Sequence, residues 1–198
     1  MKVIAAVALD GAIGKDNKLL WNLPEDLKRY KDRTFGNICI VGENTYYSLP
    51  DVALKNRTHI VVSGDYGDKM KSIDAPEEEQ PRFKLVDKKE IPGSNVYNRS
   101  TIKEAIDTAN EISREDQEIF IIGGAQIYET MIDHVDDVEI TWINQLYPDA
   151  DRHFPIDKLF NEFEIIGDSN YIKSDNGILY KFTLYERINK RYKLSKDD

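Results

Sequence analysis

Short runs of consecutive apolar residues alternate along the chain with segments whose apolar residues recur at helical spacing. Continuous apolar runs are typical of strands buried on both faces of a sheet, whereas recurrence every three or four residues indicates an amphipathic helix. The predicted strands are residues 3–8, 38–41, 58–62, 96–97, 118–122, 138–143, 162–166 and 178–186. The predicted helices are residues 24–34, 43–49, a segment that begins near residue 100, and 125–132.

The order of these elements predicts the fold class. Successive strands that are joined by helices form a mostly parallel sheet with helices on both faces. The last two strands have no predicted helix between them, so we expect them to pair antiparallel at one edge. The chain is therefore predicted to be an α/β protein with a central sheet of about eight strands.

A change of composition after residue 64 divides the chain. Residues 65–93 are charged and include Pro76, Pro81 and Pro92, which favours a surface insertion without chemistry of its own. Residues 188–198 are polar and basic and are expected to fray as a tail. Because the chain has 198 residues and 40% hydrophobic content, we expect one domain over residues 1–187.

Composition excludes several classes of partner. The formal net charge of −9 disfavours nucleic acid, because phosphate binding needs clustered Lys and Arg. No apolar run approaches the roughly 20 residues of a membrane span, and the N-terminal residues lack the pattern of a signal peptide. A single cysteine, Cys39, fits a reducing compartment, and the histidines lack metal-ligand spacing. We expect a cytoplasmic monomer that binds no metal, membrane or nucleic acid.

The segment 19–30 places an acid beside an apolar stripe. Pro24 suits the first position of a helix, because its missing N–H would be unpaired there. One face of that helix carries Leu23, Leu27, Tyr30 and Thr34, with Asp26 at its edge. The opposite side is expected to carry Glu25, Lys28, Arg29 and Asp32, with Glu25 in water. Burial raises the pKa of a carboxyl group, which makes Asp26 a candidate proton source. The alternative is an ordinary first-turn acid favoured by the helix dipole.

Glycines follow two of the predicted strands, at Gly42 and at Gly123-Gly124, and each precedes a predicted helix. The N-terminus of a helix presents unpaired N–H groups, which suit phosphate, and ligands of doubly wound sheets bind at such turns. The alternative is a plain tight turn.

These residues together resemble the dihydrofolate reductase family. The sequence Gly14-x-x-Asn17-x-Leu19-x-Trp21-x-x-Pro24-x-Asp26-Leu27 is similar to that family's lid loop and catalytic helix, and the similarity extends in order from Val3 to about Arg187. The resemblance implies reduction of 7,8-dihydrofolate to 5,6,7,8-tetrahydrofolate by hydride transfer from NADPH, in support of one-carbon and thymidylate metabolism. It also implies that dihydrofolate and antifolates are the ligands.

The resemblance implies the roles of individual residues. The catalytic residues would be Asp26, Trp21 and Thr141. The substrate would contact Ile4, Ala6, Leu19, Asp26, Leu27, Tyr30, Leu49, Arg57, Ile122 and Thr141. Asp26 and Thr141 would hydrogen-bond the pterin, and Arg57 would bind the glutamate end of folate. From the residues alone, a surface ion pair is the alternative for Arg57.

The cofactor side follows in the same way. NADPH would contact Ala6, Ile13, Gly14, Gly42, Asn44, Thr45, Ser63, Gly123, Gly124, Gln126, Ile127 and Tyr128. The family joins its two glycines by a cis peptide bond, so the resemblance implies one at Gly123-Gly124. The loop over residues 10–20 would close over the nicotinamide.

The chain departs from the family pattern at three places. Leu20 stands where the family favours proline, and Lys55-Asn56 replaces a common Pro-Gly before Arg57. The third departure affects the cofactor. Glu43 stands where the family has a basic residue for the 2′-phosphate of NADPH, and a carboxylate repels phosphate. Either Lys69 or Lys71 of the insertion compensates, or the enzyme also accepts NADH.

Two other functions are compatible with the fold. One is a pyrimidine reductase of riboflavin synthesis, which gives no reason for Trp21, Asp26 and Thr141 together. The other is a non-catalytic dinucleotide-binding module.

Overall fold

The structure is a computed structural model and describes residues 1–63 and 95–188. The predicted insertion at residues 65–93, with Lys69 and Lys71, lies outside the described residues. All of the predicted tail except Ile188 also lies outside them. Among the helices described, none has the length and apolar character needed to span a bilayer.

Eleven strands occur in the described ranges. They are β1 (Lys2–Ala8), β2 (Ala12–Gly14), β3 (Ile38–Gly42), β4 (Thr58–Val62), β5 (Asn95–Arg99), β6 (Ile119–Ile121), β7 (Asp137–Ile143), β8 (Arg152–His153), β9 (Phe163–Asp168), β10 (Ile172–Lys173) and β11 (Leu179–Arg187). Six α-helices accompany them. They are α1 (Pro24–Thr34), α2 (Glu43–Ser48), α3 (Asp51–Leu54), α4 (Ile102–Ile112), α5 (Ala125–Met131) and α6 (Ile156–Glu162).

The main sheet contains nine of the described strands, in the order β10-β11-β7-β1-β6-β3-β4-β5, with β9 also paired to β11. Neighbours from β7 to β5 along this order run parallel. At the other edge, β11 runs antiparallel to β7, β9 and β10. The remaining strands, β2 and β8, form a small antiparallel pair. The predicted α/β class, with a mostly parallel sheet and an antiparallel C-terminal edge, is confirmed.

Alternate residues of the buried strands face two separate cores. Val3 and Val7 of β1 belong to an apolar cluster that includes Ala105 of α4 and Leu159 of α6. Ile4 of the same strand belongs to a second cluster with Tyr46 of α2. Because successive side chains of a strand point to opposite faces, the sheet is covered by helices on both sides. Helices α4 to α6 cover one face, and α1 to α3 cover the other.

Local signals agree with the ends of several helices. Gly36, at φ +74°, follows the last turn of α1, where glycine is favoured because it has no Cβ. At the start of α4, the Thr101 hydroxyl accepts a 3.1 Å hydrogen bond from the N–H of Glu104. The Glu104 carboxylate in turn accepts a 2.8 Å bond from the N–H of Ser100. This is the reciprocal arrangement of a capping box.

The structure also contains elements that the sequence pattern does not predict. Helix α3 lies in a segment expected to be a loop, and α6 lies where no helix was expected. Both are short, with four and seven residues, and depend on tertiary contacts. Strands β2 and β8 have three and two residues and pair across a long separation in sequence, which no local pattern reveals.

Candidate active site

Asp26 lies in the first turn of α1, between the helix and the sheet. Leu23 caps the helix start and is buried, and Pro24 occupies the first helical position. Asp26 itself is half-buried. Loss of solvent raises the pKa of its carboxyl group, while the Thr141 hydroxyl and the charge of Arg29 lower it by less, so the net shift is upward. The carboxyl group is therefore easier to protonate than an exposed aspartate.

Thr141 supplies a hydroxyl at the same place from the sheet. It lies on β7 in register with Ala6 of β1 and is completely buried. No contact of its Oγ1 with any described residue has the full geometry of a hydrogen bond. A buried hydroxyl without a full partner costs free energy unless a ligand or water satisfies it. Thr141 and Asp26 thus form a polar pair that is available to a bound molecule.

Trp21 lies three residues before the start of α1, in the loop that leads to Asp26. Its side chain is buried against Ala8 and Ala12, and its ring contacts Tyr147 with centroids 5.6 Å apart. Leu20 packs against the same cluster. Leu19, expected to contact substrate, is instead 67% exposed in this structure. The bridge between Lys15 and Lys18 forms a turn just before Leu19, which leaves this side chain on the outside.

The other residues expected at the substrate come together on one face of the sheet. Ile4 and Ile122 are buried in the second apolar cluster, and Tyr30 and Leu49 pack against it. Leu27 and Ala6 are half-buried. The hydroxyl of Tyr30 lies 3.4 Å from the carbonyl oxygen of Ala53, which anchors α1 to α3. These side chains form an apolar wall next to Asp26.

Arg57 is a buried cation rather than a surface one. It is 4% exposed, and its guanidinium donates to Thr34 Oγ1 at 2.6 Å, to the Lys31 carbonyl at 2.5 Å and to the Lys55 carbonyl. Its guanidinium also lies 5.6 Å from the Tyr30 ring centroid. No acidic side chain in the described parts of the chain forms an ion pair with it. The surface ion pair that the residues alone favoured is therefore wrong, because the end of α1 supplies neutral acceptors instead.

The two glycine turns touch each other at the carboxyl edge of the sheet. The N–H of Gly42 donates a 2.7 Å hydrogen bond to the carbonyl oxygen of Gly123. A Cβ on Gly124 would lie 2.8 Å from Thr45 Oγ1, and one on Gly123 would lie 2.9 Å from the Tyr128 ring. The Gly123-Gly124 peptide bond is cis, as the resemblance implied. Side chains are thus excluded from a cradle formed by the starts of α2 and α5.

The remaining residues expected at the cofactor differ in how far they are buried. Tyr128 is buried, and its hydroxyl donates a 2.9 Å hydrogen bond to the carbonyl oxygen of Ile4. Ile127, Gly14 and Ser63 are buried, and Ile13 is half-buried. Asn44 and Gln126 are exposed at the first turns of α2 and α5, and Thr45 is half-buried. Glu43 is half-buried at the start of α2.

Two expectations about α1 are wrong. Glu25 is half-buried rather than in water, and its Oε2 is inaccessible and without a hydrogen-bond partner among the described residues. Burial and, by less, the charge of Glu25 raise the pKa of Tyr180 at the start of β11. Arg29 lies on the sheet side, where its Nη2 donates to Glu139 Oε2 at 2.6 Å. Three residues of helix turn through about 300°, which returns Arg29 to within about 60° of Asp26.

Glu139 is the residue near this site that sequence reasoning missed. It lies on β7 two residues before Thr141 and is 4% exposed. A signal was present in the sequence, because Glu139 and Thr141 are the two polar residues of the predicted strand 138–143 and, being two residues apart, point to the same face of the sheet.

Comparison with known proteins agrees with this geometry. The family model described as dihydrofolate reductase matches residues 1–187. The dihydrofolate reductase of Bacillus subtilis is 32% identical over 189 residues, which cover 94% of each chain. The type 9 dihydrofolate reductase of Escherichia coli is 31% identical over 170 residues, covering 85% of this chain and 82% of that one.

A solved structure has the same fold. It is dihydrofolate reductase from Enterococcus faecalis complexed with NADP(H) and RAB-propyl. It aligns with a TM-score of 0.66 at 24% identity, over 94% of this chain and 95% of that one. The match of the family model over nearly the whole chain, together with Asp26 and Thr141 between α1 and β7, leads to one conclusion. The chain belongs to the dihydrofolate reductase family.

Proposed function

We propose that this protein reduces 7,8-dihydrofolate to 5,6,7,8-tetrahydrofolate with NADPH. The observation that carries the proposal is the pairing of the Asp26 carboxyl group, whose pKa is raised by burial, with the unsatisfied Thr141 hydroxyl beside an apolar wall. A flat heterocycle with one polar edge matches such a site. The family assignment does not favour a pyrimidine reductase or a non-catalytic module.

The protein's part in the reaction is to orient the pterin and to help deliver one proton to it. Asp26 and Thr141 bind the amino group and ring nitrogen at the polar edge of the pterin. Reduction of the imine bond adds hydride to its carbon and a proton to the adjacent nitrogen. Asp26 favours delivery of that proton through water, because its carboxylate does not reach the nitrogen directly. Trp21 holds that water and excludes bulk solvent.

The cradle around Gly42, Gly123 and Gly124 fits a dinucleotide. A Cβ at Gly124 would collide with Thr45, so backbone rather than side chains lines the approach. Gly42, Asn44, Thr45 and Gln126 would hold phosphates at the helix starts, and Ser63 would face the adenosine end. Ala6, Ile13, Gly14 and Tyr128 would lie near the nicotinamide. NADPH, when bound, supplies the hydride.

Arg57 is proposed to bind the glutamate end of the substrate. Its guanidinium is buried and held by neutral acceptors, so its charge is not offset by an acidic side chain of the described chain. A fixed, planar guanidinium suits a carboxylate ligand.

One assay tests the proposed function. Purified protein with NADPH should lose the absorbance of the reduced nicotinamide only when dihydrofolate is added, and an antifolate should abolish that loss. An absence of turnover with dihydrofolate, alongside turnover of a pyrimidine substrate, would contradict the proposal. Parallel assays with NADH measure the effect of Glu43 on cofactor preference. Strong NADPH preference in a variant that lacks both Lys69 and Lys71 would contradict compensation by those lysines.

We further propose that residues 1–187 work as one domain, that the protein is monomeric and that it resides in the cytoplasm. The single cysteine fits a reducing location, since it cannot form a disulfide within the chain. Sedimentation of the purified protein tests the oligomeric state.

A further inference from the structure

Two rows of polar side chains face each other between α1 and β7. Along α1, Asp26, Arg29 and Arg33 follow one another at a spacing of three and four residues, so they share one face of the helix. Along β7, Glu139 and Thr141 are two residues apart and lie on the same face of the sheet. Asp26 lies beside Thr141, and both arginines reach Glu139.

Glu139 is almost fully enclosed by these arginines. Its Oε2 lies 2.6 Å from Arg29 Nη2, and its Oε1 lies 2.5 Å from Arg33 Nη2. Arg33 Nε donates to both oxygens, at 3.1 and 3.0 Å. Burial favours the protonated form of Glu139, but the hydrogen bonds from Arg33 and the charges of Arg29, Arg33 and Lys2 outweigh it and lower its pKa. Glu139 is therefore harder to protonate than an exposed glutamate.

Arg29 connects this ion pair to Asp26. Its guanidinium lies 4.8 Å from the ring centroid of Phe182, which is in register with Thr141. Its Nη1 is buried and has no hydrogen-bond partner in the described ranges. The charge of Arg29 acts on Asp26 and favours its carboxylate form. Without Glu139 beside it, this cation, which lies three residues after Asp26 on α1, would favour the carboxylate form of Asp26 more strongly.

We propose that Glu139 is a positioning residue for the reaction, because its carboxylate holds the Arg29 guanidinium and offsets its charge, and this leaves the Asp26 carboxyl group easier to protonate. The effect of Glu139 on catalysis rests on the proposed function, whereas its effect on Asp26 does not. According to this inference, the Arg29–Glu139 ion pair, and not burial alone, controls how easily Asp26 is protonated.

Other charged and titratable groups near the two carboxylates are accounted for. Around Asp26 they are Glu25 on the same helix, Tyr128 of α5 and Tyr180 of β11. Burial raises the pKa values of the two tyrosines, and the charge of Asp26 raises them by less. Around Glu139 they are Lys2 of β1 and Glu118, which form a 2.5 Å ion pair with each other. Arg33 is the more exposed arginine and also approaches Glu118 at 3.7 Å. Of the two arginines that contact Glu139, Arg29 is the one whose charge acts on Asp26.

The test measures the pKa of Asp26 directly, by NMR of protein labelled with ¹³C at the aspartate carboxyl groups. Asp26→Asn identifies the signal. In Glu139→Gln, the pKa of Asp26 should fall by about one unit, because the Arg29 charge is no longer offset. In Arg29→Gln it should rise above that of the unmodified protein. In the double variant, Arg29→Gln with Glu139→Gln, the pKa of Asp26 should equal that in Arg29→Gln alone, since Glu139 acts through Arg29. The pH dependence of kcat should move in the same directions.

Arg33→Gln is the matched control. It removes hydrogen bonds to Glu139 that are equally short, but it lies two turns from Asp26, so it should move the pKa of Asp26 less than either other change. A purely structural role of the charge cluster predicts the same pKa of Asp26 in all four variants, and that result would overturn the inference.

Two further outcomes are decisive. If Glu139→Gln does not fold, an unchanged pKa of Asp26 in Arg29→Gln overturns the inference, and a raised one supports it. Because the NMR reading needs no turnover, a protein that titrates as expected but does not reduce dihydrofolate would refute the proposed function and not the coupling of Glu139 to Asp26.

Discussion

The main-chain N–H of Gly42 donates a 2.7 Å hydrogen bond to the carbonyl oxygen of Gly123, and this bond joins the two turns of the proposed dinucleotide site. The turns are 81 residues apart in sequence and belong to strands β3 and β6, which are parallel neighbours. Because parallel strands end at the same edge of a sheet, pairing of β3 with β6 brings the starts of α2 and α5 together.

Because the two turns lie so close together, adding one methyl group at Gly124 should weaken binding of NADPH. Gly124→Ala would place a Cβ 2.8 Å from Thr45 Oγ1, so the turn or the helix must shift. We expect the KM for NADPH to rise on the order of 10-fold, with a smaller change in the KM for dihydrofolate. Steady-state kinetics with each substrate varied in turn measure both values. Gly167→Ala on the outer strand β9 is the control, since its new Cβ would make an ordinary 3.4 Å contact with Leu184. Equal KM values for NADPH in the two variants would contradict the assignment.

Asp26→Asn should separate activity from stability. Turnover at neutral pH should fall on the order of 100-fold, because the proton donor is lost, and part of it should return at low pH as protons reach the pterin from solution. The folded-state pKa of Asp26 is raised, so its carboxylate destabilises the fold as pH increases through that pKa. The asparagine variant should therefore be more stable than the parent at neutral pH, and the difference should vanish in acid. Denaturant unfolding and a pH profile of kcat measure these effects, and full turnover at neutral pH would refute the role of Asp26.

Arg57→Lys should weaken binding of the substrate's tail and leave the pterin ring unaffected. Lysine keeps the charge but cannot reproduce the guanidinium contacts with Thr34 and Lys31. We expect the KM for dihydrofolate to rise on the order of 10-fold, whereas a dihydropterin without the glutamate tail should show no change. An equal rise for both substrates would indicate a structural effect instead of carboxylate binding.

His59 predicts a loss of stability in acid. It is completely buried on β4, with neither ring nitrogen bonded to a described residue, and burial lowers its pKa from 6.5 to about 4. Between these values the unfolded chain binds the proton and the folded chain does not, so stability falls as pH decreases from 6.5 to about 4. The full effect amounts to about 3 kcal/mol.

His59→Phe tests this prediction, because the ring still packs against Tyr46 but does not titrate. The free energy of unfolding, measured with denaturant at a series of pH values, should fall less steeply in the variant than in the parent. The exposed His153 provides a control, and His153→Gln should keep the parent's slope. A variant at His59 with that same slope would contradict the prediction.

The sequence by itself determined the class of fold and the chemistry of the site. Continuous apolar runs such as residues 38–41 and 58–62 can only be satisfied within a sheet covered on both faces, and they became β3 and β4. Pro24 and the apolar spacing after it placed the start of α1 correctly, because these signals act within one or two helical turns. The spacing of Asp26 and the glycines carried the family resemblance.

Only the tertiary structure decided which charges are buried and what they contact. The helical pattern assigned Arg29 and Glu25 to the solvent side of α1, yet Arg29 pairs with the buried Glu139 of β7, and Glu25 is half-buried. For Arg57, the residues alone favoured a surface ion pair, but its side chain is buried, because the end of α1 satisfies its donors. Short α6 and the pair β2–β8 form for the same reason. Their free energy comes from contacts between residues far apart in sequence, and such contacts exist only once the chain has folded.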